Sequence, residues 1–146
     1  GGDDGGGGAG RVGVPMAEEL VKDWMHRGVI TCGPDATIQA VADAMKAHDI
    51  SALVVVDEAG DAIGVISRTD LVNARFVEPY LKHWRGLTAR HLMSSPVVSV
   101  SDTTPLAEAA ACLHDRKIHR LVVTERHGTH EKPIGILSVT DLVRRL

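Results

Sequence analysis

The 146 residues are 44% hydrophobic, enough apolar material for one core, and the formal charge of -3 with a pI near 6.2 gives no general attraction to nucleic acid or to an anionic membrane surface. The longest apolar runs, Ala52 to Val56 and Ala109 to Leu113, fall well short of the ~18 residues that a membrane helix needs, so a soluble chain is expected. Two cysteines, Cys32 and Cys112, lie far apart with no metal-spaced partner beside either, which excludes a disulfide framework or a zinc knuckle and fits a reducing cytoplasm.

The chain opens on GGDDGGGGAGR, a low-complexity stretch too poor in apolar side chains to offset its ordering entropy. Residues 1–15 read as a flexible linker or tag. A phosphate-binding P-loop is not supported, because no Lys-Ser/Thr follows the glycines and no strand precedes them. No charged, apolar and small-residue succession of a secretory signal occurs at the start.

From about residue 20 the chain is one unit written twice. At an offset of 68, Met25 falls on Met93, Ile38 on Leu106, Met45 on Leu113 and Leu53-Val54-Val55 on Leu121-Val122-Val123. At an offset of 71, Gly64 to Val72 falls on Gly135 to Val143. The three extra residues sit within Glu125 to Pro133, where a hairpin loop is expected to take them up.

In the first copy, 20–78, a short strand ends at Gly33-Pro34-Asp35. Asp35 is the expected N-cap of a helix carrying Ile38, Val41, Ala42 and Met45 at helical spacing. Ala52 to Val56 and Ala62 to Ile66 then form a hairpin about Asp57 to Asp61, and a last helix starts at Ser67. The connector, 79–88, continues a row of aromatics, Phe76, Tyr80 and Trp84, that suits either packing on the protein or a dimer interface. The second copy, 89–146, repeats the order, with Thr104 as expected cap, Pro105 at the first helical position, and Leu106, Ala109, Ala110 and Leu113 on the apolar face. The fold class is α/β, two β-α-β-β-α repeats packed as one module with a cleft between halves, since a ~50-residue α/β unit buries too little surface alone.

The chemistry concentrates in Gly-x-x-Ser-x-Thr-Asp, present at Gly64 to Asp70 and again at Gly135 to Asp141. A Ser followed three residues later by an acid can be a helix cap and nothing more. The same corner can also serve a ligand. A helix start offers N–H groups to a phosphate, the hydroxyls add donors, and an ionised Asp accepts hydrogen bonds from a ribose diol. The two readings are compatible. Cys112 reads as core, and Cys32 reads as packing at a strand end rather than as a redox sensor. His127-x-x-His130 lacks a third ligand nearby, so no metal site is expected.

The repeat, its element order and this doubled ending resemble the cystathionine β-synthase (CBS) domain, over about residues 20–146. The resemblance implies clefts that hold AMP, ADP, ATP, S-adenosylmethionine or NADH, with no cofactor required for a reaction. It implies that Asp70 and Asp141 hold ribose, and that Ser67, Thr69, Ser138 and Thr140 line the phosphate side. Val29, Ile30 and Thr31, with Val97, Val98 and Ser99, would lie along adenine. Lys117 to Val123 is also similar to a stretch of the regulatory gamma subunit of AMP-activated protein kinase, which casts His119 and Arg120 as phosphate contacts; their plainer reading is a solvated strand start. Copy one has Ser51 and Ala52 there, although Arg68 follows Ser67 where copy two has Val139, so the two sites should differ.

The leading expectation is therefore a non-catalytic regulatory module for an adenine nucleotide. It would form a homodimer and signal to an attached or partner effector, with no nucleic acid or membrane partner. Its rivals are a ligand-free dimerisation module and an S-adenosylmethionine or NADH sensor. An enzyme would need a nucleophile with a base or paired carboxylates in one cleft, whereas Asp70 and Asp141 stand at separate repeat-related positions.

Overall fold

The structure is a computed structural model that describes residues 19–80 and 86–144; the Gly-rich start, Trp84 and half of the connector fall outside them. In chain order the elements are β1 (His26–Arg27), β2 (Thr31–Cys32), α1 (Ile38–His48), β3 (Ala52–Val56), β4 (Ala62–Ser67) and α2 (Arg68–Val77). There follow α3 (Ala89–Leu92), β5 (Ser99–Ser101), α4 (Leu106–Arg116), β6 (Arg120–His127), β7 (His130–Ser138) and α5 (Val139–Val143). Both copies thus have the expected strand, helix, strand, strand, helix order.

The chain divides into two compact units. One comprises Gly28–Val98 with Glu125–Ile134 and is built on a three-stranded sheet, β2-β3-β4. β3 lies in the middle, parallel to β2 and antiparallel to β4, and Leu53, Val54 and Val55 are wholly buried, as a central strand covered on both faces requires. α1 lays Ile38, Val41 and Met45 onto this core and ends at Asp49 in the left-handed region. Its N-cap is Thr37, not Asp35: Thr37 Oγ1 accepts from Ala40 N at 3.0 Å. Asp35 instead takes the guanidinium of Arg90, from α3, at 2.9 Å, a tertiary demand invisible to local cap preference. The β3–β4 turn is tied by Asp57, whose Oδ1 accepts from Ala59 N and Asp61 N, with Gly60 at φ +86.

The other unit comprises the described residues up to Arg27, with Ser99–Thr124 and those from Gly135 on. Its sheet has the order β1-β7-β6-β5, with β5 parallel to β6 and β1 antiparallel to β7. α4 buries Leu106, Ala109 and Leu113 and ends at Lys117 in the left-handed region, as α1 does at Asp49. Its N-cap is Pro105, the residue expected at the first helical position, so the cap falls one residue after the expected Thr104 and the helix starts at Leu106. Thr104 Oγ1 is spent in the preceding turn, accepting from Ser101 N at 3.2 Å, while Leu106 N donates to Glu19 O. The three extra residues are not in a loop. They lengthen β6 and β7, which turn at Gly128-Thr129, and this hairpin end belongs to the first unit.

Repeats and units are drawn differently. The lead-in of copy one, through Arg27, completes the sheet formed by copy two: Val21 is wholly buried, Val21 N donates to Thr104 O, and His26 pairs with Ile136. The lead-in of copy two does the same for copy one, with Ser94 bridged to Val65. Each lead-in brings a methionine over a glycine. A Cβ on Gly135 would come within 2.5 Å of His26 O and 2.7 Å of Met25 Cε, and one on Gly64 would meet the Met93 side chain, with Cγ at 2.7 Å. That close approach explains why the doubled motif starts with glycine.

Candidate ligand site

Ser67 and Ser138 are the N-caps of α2 and α5, and each closes a reciprocal capping box with the Asp three residues on. Asp70 Oδ2 accepts from Ser67 N at 2.8 Å and from Ser67 Oγ at 3.0 Å; Asp141 Oδ2 accepts from Ser138 N and Oγ at the same distances. Asp70 N and Asp141 N donate back to the serine hydroxyls. The amide before each motif Thr is also used, Arg68 N going to Ser51 O and Val139 N to His119 O. The expectation of a helix start rich in free N–H groups is therefore narrowed, since the first and third helical amides are committed. What each corner still offers is Oδ1 of a carboxylate and the hydroxyl of an exposed threonine, Thr69 or Thr140.

The strand register gathers the predicted copy-one residues. Because β2 runs parallel to β3 and β4 runs back, Val29 and Ile30 enter at the same end of the sheet at which Ser67 leaves it. Ile30 O accepts from Val54 N at 3.1 Å, and Thr31 stands opposite Val54. β2 is two strand spacings, about 10 Å, from β4, a span suited to a nucleoside laid across the strand ends. All seven copy-one candidates, Val29, Ile30, Thr31, Ser67, Arg68, Thr69 and Asp70, belong to one unit. Arg68 turns back, its Nη2 donating to Ile50 O at 3.1 Å.

In copy two, Ser99 stands opposite Val122, and Arg120 starts β6 beside the corner at which β7 ends in Ser138. The main chains join there through Val139 N and His119 O at 3.0 Å. His119 is exposed and Arg120 half-buried, while Val97 and Val98 are counted with the other unit and are half-buried there.

Two features were not foreseen. His26 Nδ1 lies 3.4 Å from Asp141 Oδ1, the oxygen that the cap leaves over. The signal was its register: one residue after Met25, as Ser94 is one after Met93. The second is a clasp on the β3–β4 turn, made by the extended β6–β7 hairpin. His130 Nδ1 meets Asp61 Oδ2 at 3.0 Å, Glu131 N donates to Asp61 Oδ1 at 3.2 Å, and Lys132 Nζ reaches Ala59 O. The His130 hydrogen bond, helped by the charges of His130 and Lys132 and the Glu131 amide, holds Asp61 below the usual carboxylate range.

His127 and His130 serve different carboxylates, His127 Nε2 meeting Glu125 at 2.8 Å, and no group of three or more His, Cys, Asp or Glu side chains is placed to hold a metal among the described residues. Cys32 and Cys112 are free and half-buried, and burial pushes the Cys32 thiol up, away from the thiolate that a redox sensor needs. No helix among the described residues is long and apolar enough to cross a membrane.

A family model for the CBS domain matches the chain twice, over 21–76 and 89–146. The chain is 34% identical over 129 residues to the Methanopyrus kandleri protein MK0525, covering 88% of this chain and 63% of that one. It is 26% identical over 132 residues to inosine-5'-monophosphate dehydrogenase of Halobacterium salinarum, covering 90% of this chain and 24% of the dehydrogenase. Among solved structures, CBSX2 in complex with AMP superposes with a TM-score of 0.69 at 27% identity, over 86% of this chain and 94% of CBSX2.

Proposed function

This chain belongs to the CBS domain family as a tandem pair, and from that premise we propose that it is a non-catalytic regulatory module whose two strand-to-helix corners bind an adenine nucleotide. The observation that carries the reading is the doubled corner itself. Two capped aspartates each keep one oxygen outside the cap, and in copy one the corner shares a sheet end with the segment Val29 to Thr31. A carboxylate held by two hydrogen bonds on one oxygen is fixed in place to accept sugar hydroxyls on the other. AMP in the CBSX2 complex supports the ligand class, with ADP and ATP as close variants and S-adenosylmethionine or NADH as the alternatives. The chain spans 63% of MK0525 and about a quarter of the dehydrogenase, which supports an attached or partner effector as the receiver of the signal. A cytoplasmic location is in keeping with two free cysteines.

The test is calorimetry with AMP, ADP, ATP, S-adenosylmethionine and NADH on the wild type, Asp70→Ala, Asp141→Ala and the double variant. Each single variant should lose one class of site and about 1 kcal/mol of stability from its cap. Wild-type affinity for every ligand in a folded double variant would refute the ribose assignment.

A homodimer belongs to the same proposal. Val72, Phe76, Val77 and Tyr80 are exposed on α2 and the turn after it, Phe76 by 74% and Tyr80 by 83%, which is the composition of an interface. Light scattering should report a dimer that Phe76→Asp converts to a monomer, and a wild-type monomer at all concentrations would remove this part.

A further inference from the structure

The copy-two corner already has an occupant. Asp141 is nearly enclosed, its side chain 10% exposed, and Oδ2 is spent on Ser138. Oδ1 is what remains for a sugar, and His26 Nδ1 stands 3.4 Å from it. The ring is held there by backbone, because His26 pairs with Ile136 in the β1–β7 ladder. The ring itself is 70% exposed, so rotation about χ1 and χ2 can carry it away without breaking that pairing. Copy one has the same backbone seat with a different side chain: Ser94 N donates to Val65 O and Ser94 O accepts from Val65 N, as the register of the repeat requires. The serine side chain carries no ring to set against Asp70 as His26 sets its imidazole against Asp141. The cap geometry is otherwise the same in the two corners.

We infer that His26 competes with the ribose diol for Asp141 and thereby sets the copy-two corner to a weaker affinity than copy one. The inference rests on the ribose reading of Asp141 given above. A ligand entering copy two must exchange the His26 contact for its own hydroxyl, whereas in copy one the corresponding oxygen carries no such ring. His26 is thus a specificity-determining residue supplied by the lead-in, outside the repeated motif, and copy one fills first as ligand rises.

The test isolates each corner and exchanges the two side chains. In an Asp70→Ala background, where copy two alone reports, His26→Ser should tighten AMP binding about threefold or more, the scale of one exchanged hydrogen bond. In an Asp141→Ala background, Ser94→His should weaken AMP binding at copy one by a similar factor. Both substitutions are at exposed positions and copy what the other repeat carries, and circular dichroism checks their folding. AMP binding that appears in the Asp70→Ala protein only after His26→Ser is the strongest form of support. Unchanged affinity in both exchanges overturns the competition, and weaker binding on His26→Ser overturns it in favour of a direct contact between His26 and ligand. Absence of binding by AMP, and by each of the other four ligands, in the wild type and in every variant sinks the ribose reading itself, which separates the two failures.

Discussion

At the corner of copy one, Ser67 and Asp70 exchange hydrogen bonds through a hydroxyl, two amides and one carboxylate oxygen; at the corner of copy two, Ser138 and Asp141 repeat those bonds to within about 0.1 Å. Around this shared frame the side chains diverge. Copy one has Ser51, Ala52, Arg68 and Ser94 where copy two has His119, Arg120, Val139 and His26. The turn between the hairpin strands is tied by Asp57 in copy one, whereas copy two extends its strands to His127 and His130. The difference teaches where the repeat is under structural constraint. Backbone bonds and caps fix the corner, so its motif recurs, and the rim contributes no cap bond and is free to be tuned site by site.

The frame itself should break unequally, which is the largest expected effect. Gly135→Ala drives a Cβ against the backbone oxygen of His26 and should cost about 3 kcal/mol or more; Gly64→Ala meets the Met93 side chain back to its Cβ at 2.8 Å, of which only the outer atoms can swing aside, and should cost somewhat less, about 2 kcal/mol. Urea denaturation measures both, and equal losses would mean that the two lead-ins are not held as described.

The rim is sharpened by a pair of arginines. Arg120→Ala should weaken AMP about tenfold or more while leaving adenosine nearly unchanged, as loss of a charge-assisted phosphate contact of roughly 1.5–3 kcal/mol requires. Arg68→Ala should do less, because Arg68 is anchored on Ile50 O. Calorimetry with AMP and adenosine decides it, and equal losses for both ligands in Arg120→Ala would make that residue a shaper of the corner and not a reader of phosphate.

The smallest effect lies at the clasp on the β3–β4 turn. Asp61 is held below its ordinary range in the folded chain, so its ionised form stabilises the fold at pH values above the unfolded value near 4. That contribution disappears as pH falls through the folded value. Asp61→Asn, which lacks the titration, should therefore converge on wild-type stability below about pH 4. A constant gap between the two proteins down to acid pH would show that Asp61 does not act through its charge.

Much of this was legible in the sequence, and the reasons are local. The helices announce themselves through Ile38, Val41 and Met45 and again through Leu106, Ala109 and Leu113, and the corners through a seven-residue motif that caps its own helix. What escaped was set by distant partners. The first cap moved from Asp35 to Thr37 because Arg90 claims Asp35, and the extra residues lengthened β6 and β7 because they gain a hold on Asp61 and Ala59. β1 has two residues, too few to show any period, and its partner on β7 lies about 110 positions away. His26 could therefore be placed beside Asp141 only by the fold.

The exchange of lead-ins also dictates an order of assembly. On a ribosome, the three-stranded sheet with α1, α2 and α3 can form once residue 98 has emerged, lacking only its hairpin clasp. The other unit cannot close early: residues 19–27 precede their partner strand β7 by about 110 positions. Val21 and Met25 must wait exposed, or be shielded by something else, while the intervening residues are made. Contacts of such sequence separation slow the final closing step. The nascent chain passes through an interval in which copy one's corner is already built and copy two's is not.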